Sequence, residues 1–161
     1  MLYSKQLKCA AIFGIVAVGT IATAALASPG SGISSDILVT ADLDEAGHIN
    51  SDRVKFQTKG ATDVRVQRLT FAAGAYSGWH HHPGIVIVAV ASGAVTLTDS
   101  NCGSKTYGPG LPNGSVFVEG HDSAQQATSA GVSVVYVTYV APSLPTPDFR
   151  DEDTAPSCAT P

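Results

Sequence analysis

The chain reads as an all-β protein, a sandwich or barrel of antiparallel strands, and three observations predict it. Short runs rich in Val, Ile, Thr and aromatic residues recur between turns that contain Gly, Pro, Asn and Ser. One of them, Ile85 to Ala91, is apolar on both faces, as expected of a central strand covered on both sides. Almost nothing carries a helical period: Ala41 to Ala46 has room for a single turn and no more. No internal repeat is present.

In chain order, the N-terminus carries a targeting pattern. Lys5 and Lys8 precede an apolar run from Ala10 to Ala25, and Ala25-Leu26-Ala27 is a small-x-small cleavage signal. Residues 1–27 are therefore expected to be a secretory signal peptide, which places the mature chain outside the cytoplasm, secreted or in a periplasmic or extracellular space. No later stretch is long and apolar enough to span a bilayer. Residues 28–59 read as a Gly/Ser/Pro-rich leader, Ser28 to Ser35, followed by outer strands at Ile37-Leu38-Val39 and Arg53-Val54-Lys55-Phe56. Residues 60–141 hold the main strands. Asp63 to Phe71 alternates Val64, Val66 and Leu69 against Arg65, Gln67 and Arg68, with a slip near Gln67. Further strands are expected at Trp79 to His82, Ile85 to Ala91, Ala94 to Thr98, Val116 to Glu119 and Val132 to Val140. Residues 142–161, with their prolines and the acidic run from Asp148 to Asp153, read as an irregular tail laid over the surface.

Charge and cysteine usage narrow the function. The formal net charge is −4 and becomes more negative once Lys5 and Lys8 are removed. With no basic patch, nucleic acid is excluded as a partner. The mature chain keeps Cys102, in a Ser-Asn-Cys-Gly turn, and Cys158, in the tail. An even pair in an exported chain predicts a disulfide. Closing that loop stabilises the fold by about 4 kcal/mol in the chain-entropy picture.

The chemistry concentrates at Gly78-Trp79-His80-His81-His82. Side chains on a strand alternate between faces, so His80 and His82 share one face and His81 points to the other. Two imidazoles on one face can share a metal ion. His81 is expected to be outward and solvated, and His48, next to Gly47 in a polar loop, to lie on the surface.

These residues resemble the first motif of the cupin superfamily. Gly74, His80, His82 and Gly93 sit at matching positions, while the slot of the family's glutamate falls on Val86, or on Ile87 with the longer spacing. Tyr107-Gly108-Pro109-Gly110 and Phe117-Val118-Glu119 are similar to the lead-in of the second motif, whose histidine slot falls on Gln125, with His121 four residues earlier. The resemblance covers roughly residues 60–141. It implies a double-stranded β-helix, or jelly-roll barrel. It also implies a divalent transition metal inside it: iron, manganese, nickel, copper or zinc, since neutral imidazole suits most of these and a carboxylate adds hardness. His80 and His82 supply two ligands, and Gln125 or His121 is the candidate third. Glu119 is a further candidate, although in similar barrels that segment packs beside the site. Tyr76, Trp79, Val86 and Phe117 are candidate pocket walls, with Val86 filling the space of the absent glutamate. Pairing of two barrels through their outer strands is a further expectation of the resemblance.

No nucleophile elbow surrounds Ser77, Ser92 or Ser115, and no glycine loop is built to cradle phosphate. Three functions follow: a small exported barrel that binds a metal or small ligand, a metal-dependent enzyme of dioxygenase, isomerase or decarboxylase type, and a metal-free envelope scaffold. Fold alone does not choose among them.

Overall fold

The computed structural model describes residues 29–159, without the side chains of His121 and Asp122. The expected signal peptide, residues 1–27, lies outside the described residues. Ten strands follow one another: β1 (Ser31–Leu43), β2 (His48–Asn50), β3 (Lys55–Gln57), β4 (Thr62–Tyr76), β5 (His80–Ser92), β6 (Val95–Asp99), β7 (Ser104–Tyr107), β8 (Val116–Ser129), β9 (Ser133–Pro142) and β10 (Asp151–Glu152). Among the described residues there is no helix, hence none long and apolar enough to cross a membrane.

The main sheet runs in the order β1-β4-β9-β5-β8-β6-β7, with β10 added to β5 and a small β2-β3 ribbon apart from it. Every pairing is antiparallel. The sheet closes because two long strands change neighbours along their length. β8 runs beside β5 in its first half and beside β6 in its second. The end of β4 leaves β9 and pairs with the end of β8, Ala75 opposite Ser129 and Tyr76 opposite Thr128. Strands that switch sheets in this way turn one sheet into the two faces of a jelly-roll barrel. Its core is aliphatic and aromatic, with Phe71, Val86, Val88, Val90, Val135 and Val137 among the buried residues.

Four local expectations change. The leader is not loose: Ser31 to Ser35 belongs to β1 and pairs with β4. Gly30 is pressed so close to the backbone of Ser77 that a Cβ would sit 2.6 Å from its carbonyl oxygen. The helical turn at Ala41 to Ala46 does not form, because β1 continues through Leu43 with β4 as its ladder partner. β5 is covered on one face only: Val86, Val88 and Val90 are buried, whereas Ile85 is 55% exposed and Ile87 also faces outward. One covered face is the ordinary state of an antiparallel sheet. Finally, Gln67 lines the interior together with Leu69 and Phe71. The phase of β4 is therefore set by Phe71, and the polar Gln67 is tolerated inward because that part of the interior is itself polar.

The tail is also more ordered than expected. Cys158 is bonded to Cys102, Phe149 is buried, and β10 pairs with β5, Asp151 opposite His81 and Glu152 opposite His80. β10 takes the position beside β5 that β9 vacates, since the last β9 partner on β5 is Ile85.

Candidate metal centre

The turn that leads into β5 prepares the first histidine. Gly78 adopts φ 73, a region that glycine enters without a Cβ clash. Its carbonyl, turned back toward β5, accepts from His80 Nδ1 at 2.9 Å and from the Ser77 hydroxyl at 2.9 Å. Ser77 is itself pinned, its Oγ accepting the Ala127 amide at 2.9 Å. With Nδ1 donating, His80 presents a bare Nε2. Burial, and after it the Arg150 guanidinium, hold its pKa down from 6.5 to about 3. The ring is therefore neutral at ordinary pH, the form that binds metals.

His82 is prepared in the same way from the opposite direction. Its Nδ1 donates to the carbonyl of Phe149, in the tail, at 2.6 Å. The two imidazoles stand edge to face, 4.8 Å between centroids. The third member is Glu119 on β8, whose Oε2 lies 3.2 Å from His82 Nε2. This close approach is not a hydrogen bond, because His82 Nε2 has no hydrogen-bond partner. A carboxylate and an imidazole nitrogen thus converge, with a positive charge called for between them. His80, His82 and Glu119 offer ligand atoms that all lie within 4.8 Å of one another, and the residues are 4%, 3% and 7% exposed. Buried polar groups are ordinarily satisfied. An orphaned Nε2 facing a buried carboxylate fits a divalent transition metal, held by two nitrogens and one oxygen.

Glu119 occupies an instructive place. Its cross-strand partner on β5 is Val86, one of the two positions, with Ile87, where the sequence resemblance puts a glutamate. The carboxylate is thus on the neighbouring strand, one ladder step across. Val86 itself is 1% exposed and packs in the core. Glu119 was legible as a candidate, but only the strand pairing brings it to the histidines.

The other sequence candidates are distributed differently. Gln125 pairs opposite His80 in the ladder but is half-buried and absent from the walls of the interior cavity. The β5–β8 ladder is irregular here, β8 using more residues than β5 between the His80 and His82 partners. That irregularity separates the register of Gln125 from the site, and Glu119 stands where an oxygen ligand is needed. His121 has its backbone opposite His82; it sits within continuous β8, not in an inward loop, and its side chain lies outside the described residues. Phe117 lines the cavity, whereas Val86, Tyr76 and Trp79 do not. Tyr76 is turned outward by strand alternation after the buried Ala75. Trp79 is buried, and its carbonyl accepts the Asp153 amide. His81 points away from the pair and is partly exposed, but it is held rather than free in solvent: Asp153 Oδ2 lies 2.9 Å from its Nδ1 and Asp151 Oδ2 3.4 Å from its Nε2.

His80, His82 and Glu119 line a cavity of about 350 Å³. Leu69, Phe71, Val88, Phe117, Val135 and Val137 form apolar walls, while Gln67, Tyr139 and Arg150 are polar groups that also line it. Burial, and then the Glu119 carboxylate, push the Tyr139 phenol up to about 12, so it stays protonated and able to donate. Arg150 grips Glu152 through Nε at 2.7 Å and donates from Nη2 to the Ser77 carbonyl at 2.6 Å. Phe149 and Arg150 were missed from sequence. Phe149 acts through a backbone carbonyl, which no side-chain pattern signals.

No family model matches the chain, and no curated protein matches it. Solved structures do. A conserved Streptococcus pyogenes protein of unknown function aligns at 15% identity over 70% of this chain and 76% of that one, TM-score 0.48. A DMSP lyase aligns at 17% identity over 60% and 46%, TM-score 0.45. Salicylate 1,2-dioxygenase from Pseudaminobacter salicylatoxidans aligns at 16% identity over 47% and 20%, TM-score 0.40. The aligned part thus spans less than half of the two enzymes. What defines the class here is the molecule's own architecture: an antiparallel barrel closed by switching strands, with a histidine pair entering its interior at the start of β5. This is a cupin-type fold, carrying a candidate centre for a divalent transition metal.

Proposed function

We propose that the chain is an exported cupin-type barrel that holds one divalent transition metal through His80, His82 and Glu119 and takes a small molecule into the adjoining cavity. The observation that carries this reading is the unsatisfied His82 Nε2 facing the buried Glu119 carboxylate. A bound ion would supply Lewis acidity in a chamber whose walls are largely apolar. The chain's own groups do the rest. The Gly78 and Phe149 carbonyls orient the two imidazoles. The Tyr139 phenol offers a proton donor to a ligand, and the apolar walls offer it apolar contact surface. Export is supported by the Ala25-Leu26-Ala27 pattern and by a disulfide of the kind that persists in oxidising compartments. N-terminal analysis of secreted protein is expected to read Ser28 first.

The second reading is a metal-dependent enzyme. It is favoured by the ligand count: three protein ligands leave coordination positions open toward the cavity, where a substrate could bind. The test of the first reading is metal titration of untagged protein with iron, manganese, nickel, copper and zinc. One equivalent is expected to bind to wild type and to His48→Ala, whose histidine is exposed on β2, and none to His82→Ala. Equal affinity of wild type and His82→Ala would overturn the reading.

A further inference from the structure

The C-terminal segment crosses the end of the barrel where the centre lies, and its attachments are specific. Phe149 is 6% exposed. Its ring meets Tyr139 edge-on at 5.7 Å and lies 4.0 Å beneath the Arg65 guanidinium. That wedge delivers the Phe149 carbonyl to His82 Nδ1. Beyond it, the Asp153 amide donates to the Trp79 carbonyl at 2.9 Å, and His81 sits between Asp151 and Asp153. The free end is then fastened by the bond from Cys158 to Cys102, in the turn between β6 and β7. The strap is therefore part of the centre: it sets which nitrogen of His82 carries hydrogen.

We propose that this strap is the positioning half of the centre and that the Cys102–Cys158 disulfide sets the centre's affinity for its ion. The inference rests on the reading of His80, His82 and Glu119 as a metal centre. With the disulfide closed, the Phe149 carbonyl holds His82 with hydrogen on Nδ1 and the bare Nε2 toward Glu119. With it open, the strap is retained by one buried ring under Arg65, two residues of strand, the half-exposed His81 contacts with Asp151 and Asp153, and a few hydrogen bonds. Those gains are of the same order as the entropy of ordering the segment. The covalent anchor decides between them, because it shortens the loop that must be ordered. Closure is a thiol–disulfide exchange. The Cys102 and Cys158 thiols give two electrons and two protons to the disulfide of an oxidising partner, through a mixed disulfide. A new sulfur–sulfur bond forms in the chain while the partner's breaks and leaves as a dithiol. The ion is then held tightly only once the chain has met an oxidising compartment.

The experiment compares wild type, Cys102→Ser/Cys158→Ser and Phe149→Ala, the last with its disulfide intact. Zinc affinity is measured by chelator competition. On the apo proteins, hydrogen exchange follows the Asp153 amide and ring nitrogen shifts follow the His82 tautomer. Both variants are expected to bind zinc at least tenfold more weakly, as loss of a group that orients a ligand ordinarily does. The Asp153 amide is expected to exchange faster, and His82 to lose its single tautomer. Unchanged zinc affinity in a folded double-serine variant whose Asp153 amide exchanges faster would overturn the strap's role and leave the metal reading standing. Should the double-serine variant fail to fold, unchanged affinity in Phe149→Ala overturns it equally. If wild type binds no zinc or other ion, the metal reading fails by itself. The apo readouts then still judge the strap, and an unaltered His82 tautomer in both variants overturns its positioning role.

Discussion

β5 carries two histidine–carboxylate clusters, on opposite faces and one residue apart, and they do opposite work. Inside the barrel, His80 and His82 each spend Nδ1 on a main-chain carbonyl, so their remaining nitrogens face Glu119 without hydrogen. Outside, His81 has a carboxylate opposite each ring nitrogen, Asp153 at Nδ1 and Asp151 at Nε2. The outer cluster therefore pins the strap, whereas the inner one is short of a positive charge. Residue type is the same in both. The difference lies in burial and in which partner occupies Nδ1: a main-chain carbonyl inside, a carboxylate outside.

The largest expected effect tests the inner cluster's charge. Val86→Glu would place a second buried carboxylate opposite Glu119. Apo protein is expected to lose about 3–5 kcal/mol of stability, because two adjacent buried carboxylates cannot both ionise. Thermal melting reads this directly. The exchange variant Val86→Glu/Glu119→Val is expected to regain stability and to bind metal, showing that the centre needs one carboxylate and not that particular strand. If the exchange variant melts normally but binds nothing, the position of Glu119 matters as much as its charge.

Next in size is Glu119→Gln. Zinc affinity is expected to fall about a hundredfold, on the view that one of several ligands carries roughly 3 kcal/mol of the binding energy. Asp153→Asn, the outer counterpart, is expected to lower it by less than tenfold, through the strap alone. Similar losses in the two variants would erase the distinction between the faces.

Acid offers a smaller and more graded test. His80 has a folded pKa of about 3, against 6.5 for an imidazole free in water. Below 6.5 the unfolded chain takes up a proton that the folded one refuses. Stability contributed by the neutral ring is thus present above pH 6.5 and lost as pH falls toward 3, at up to about 1.4 kcal/mol per pH unit. Urea melts of apo protein between pH 6.5 and 5, above most carboxylate titrations, are expected to show this slope, and His80→Gln to flatten it. The smallest effect is reserved for His81→Ala. It removes a partly exposed clamp, and a loss of about 1 kcal/mol or less is expected by thermal melting.

Much of the site was legible because it depends on one strand. The spacing of His80 and His82 places both rings on one face whatever surrounds them, and their burial follows from the apolar Val86, Val88 and Val90 continuing that face. Cys102 and Cys158 were equally readable, since an even pair leaves one disulfide to form. Gln125 was the misleading candidate. Counting along β8 assumes a regular ladder, and the irregular pairing opposite His80 and His82 breaks that count. Likewise the alternation in Asp63 to Phe71 marked a strand but not its phase, because Gln67 faces a partly polar interior where the usual sorting of polar side chains outward is relaxed.

By itself, then, the sequence determined the all-β class, the histidine pair and its common face, and the cysteine link. These follow from local geometry, the two-residue period of a strand and a count of thiols. Only the tertiary structure decided that Glu119 reaches the histidines, that His81 is a clamp, and that the Phe149 carbonyl orients His82. Each of those depends on which strand lies beside which and where a distant segment docks. Such long-range pairing is set by the closure of the whole barrel, and a backbone carbonyl carries no mark in the sequence that would announce it.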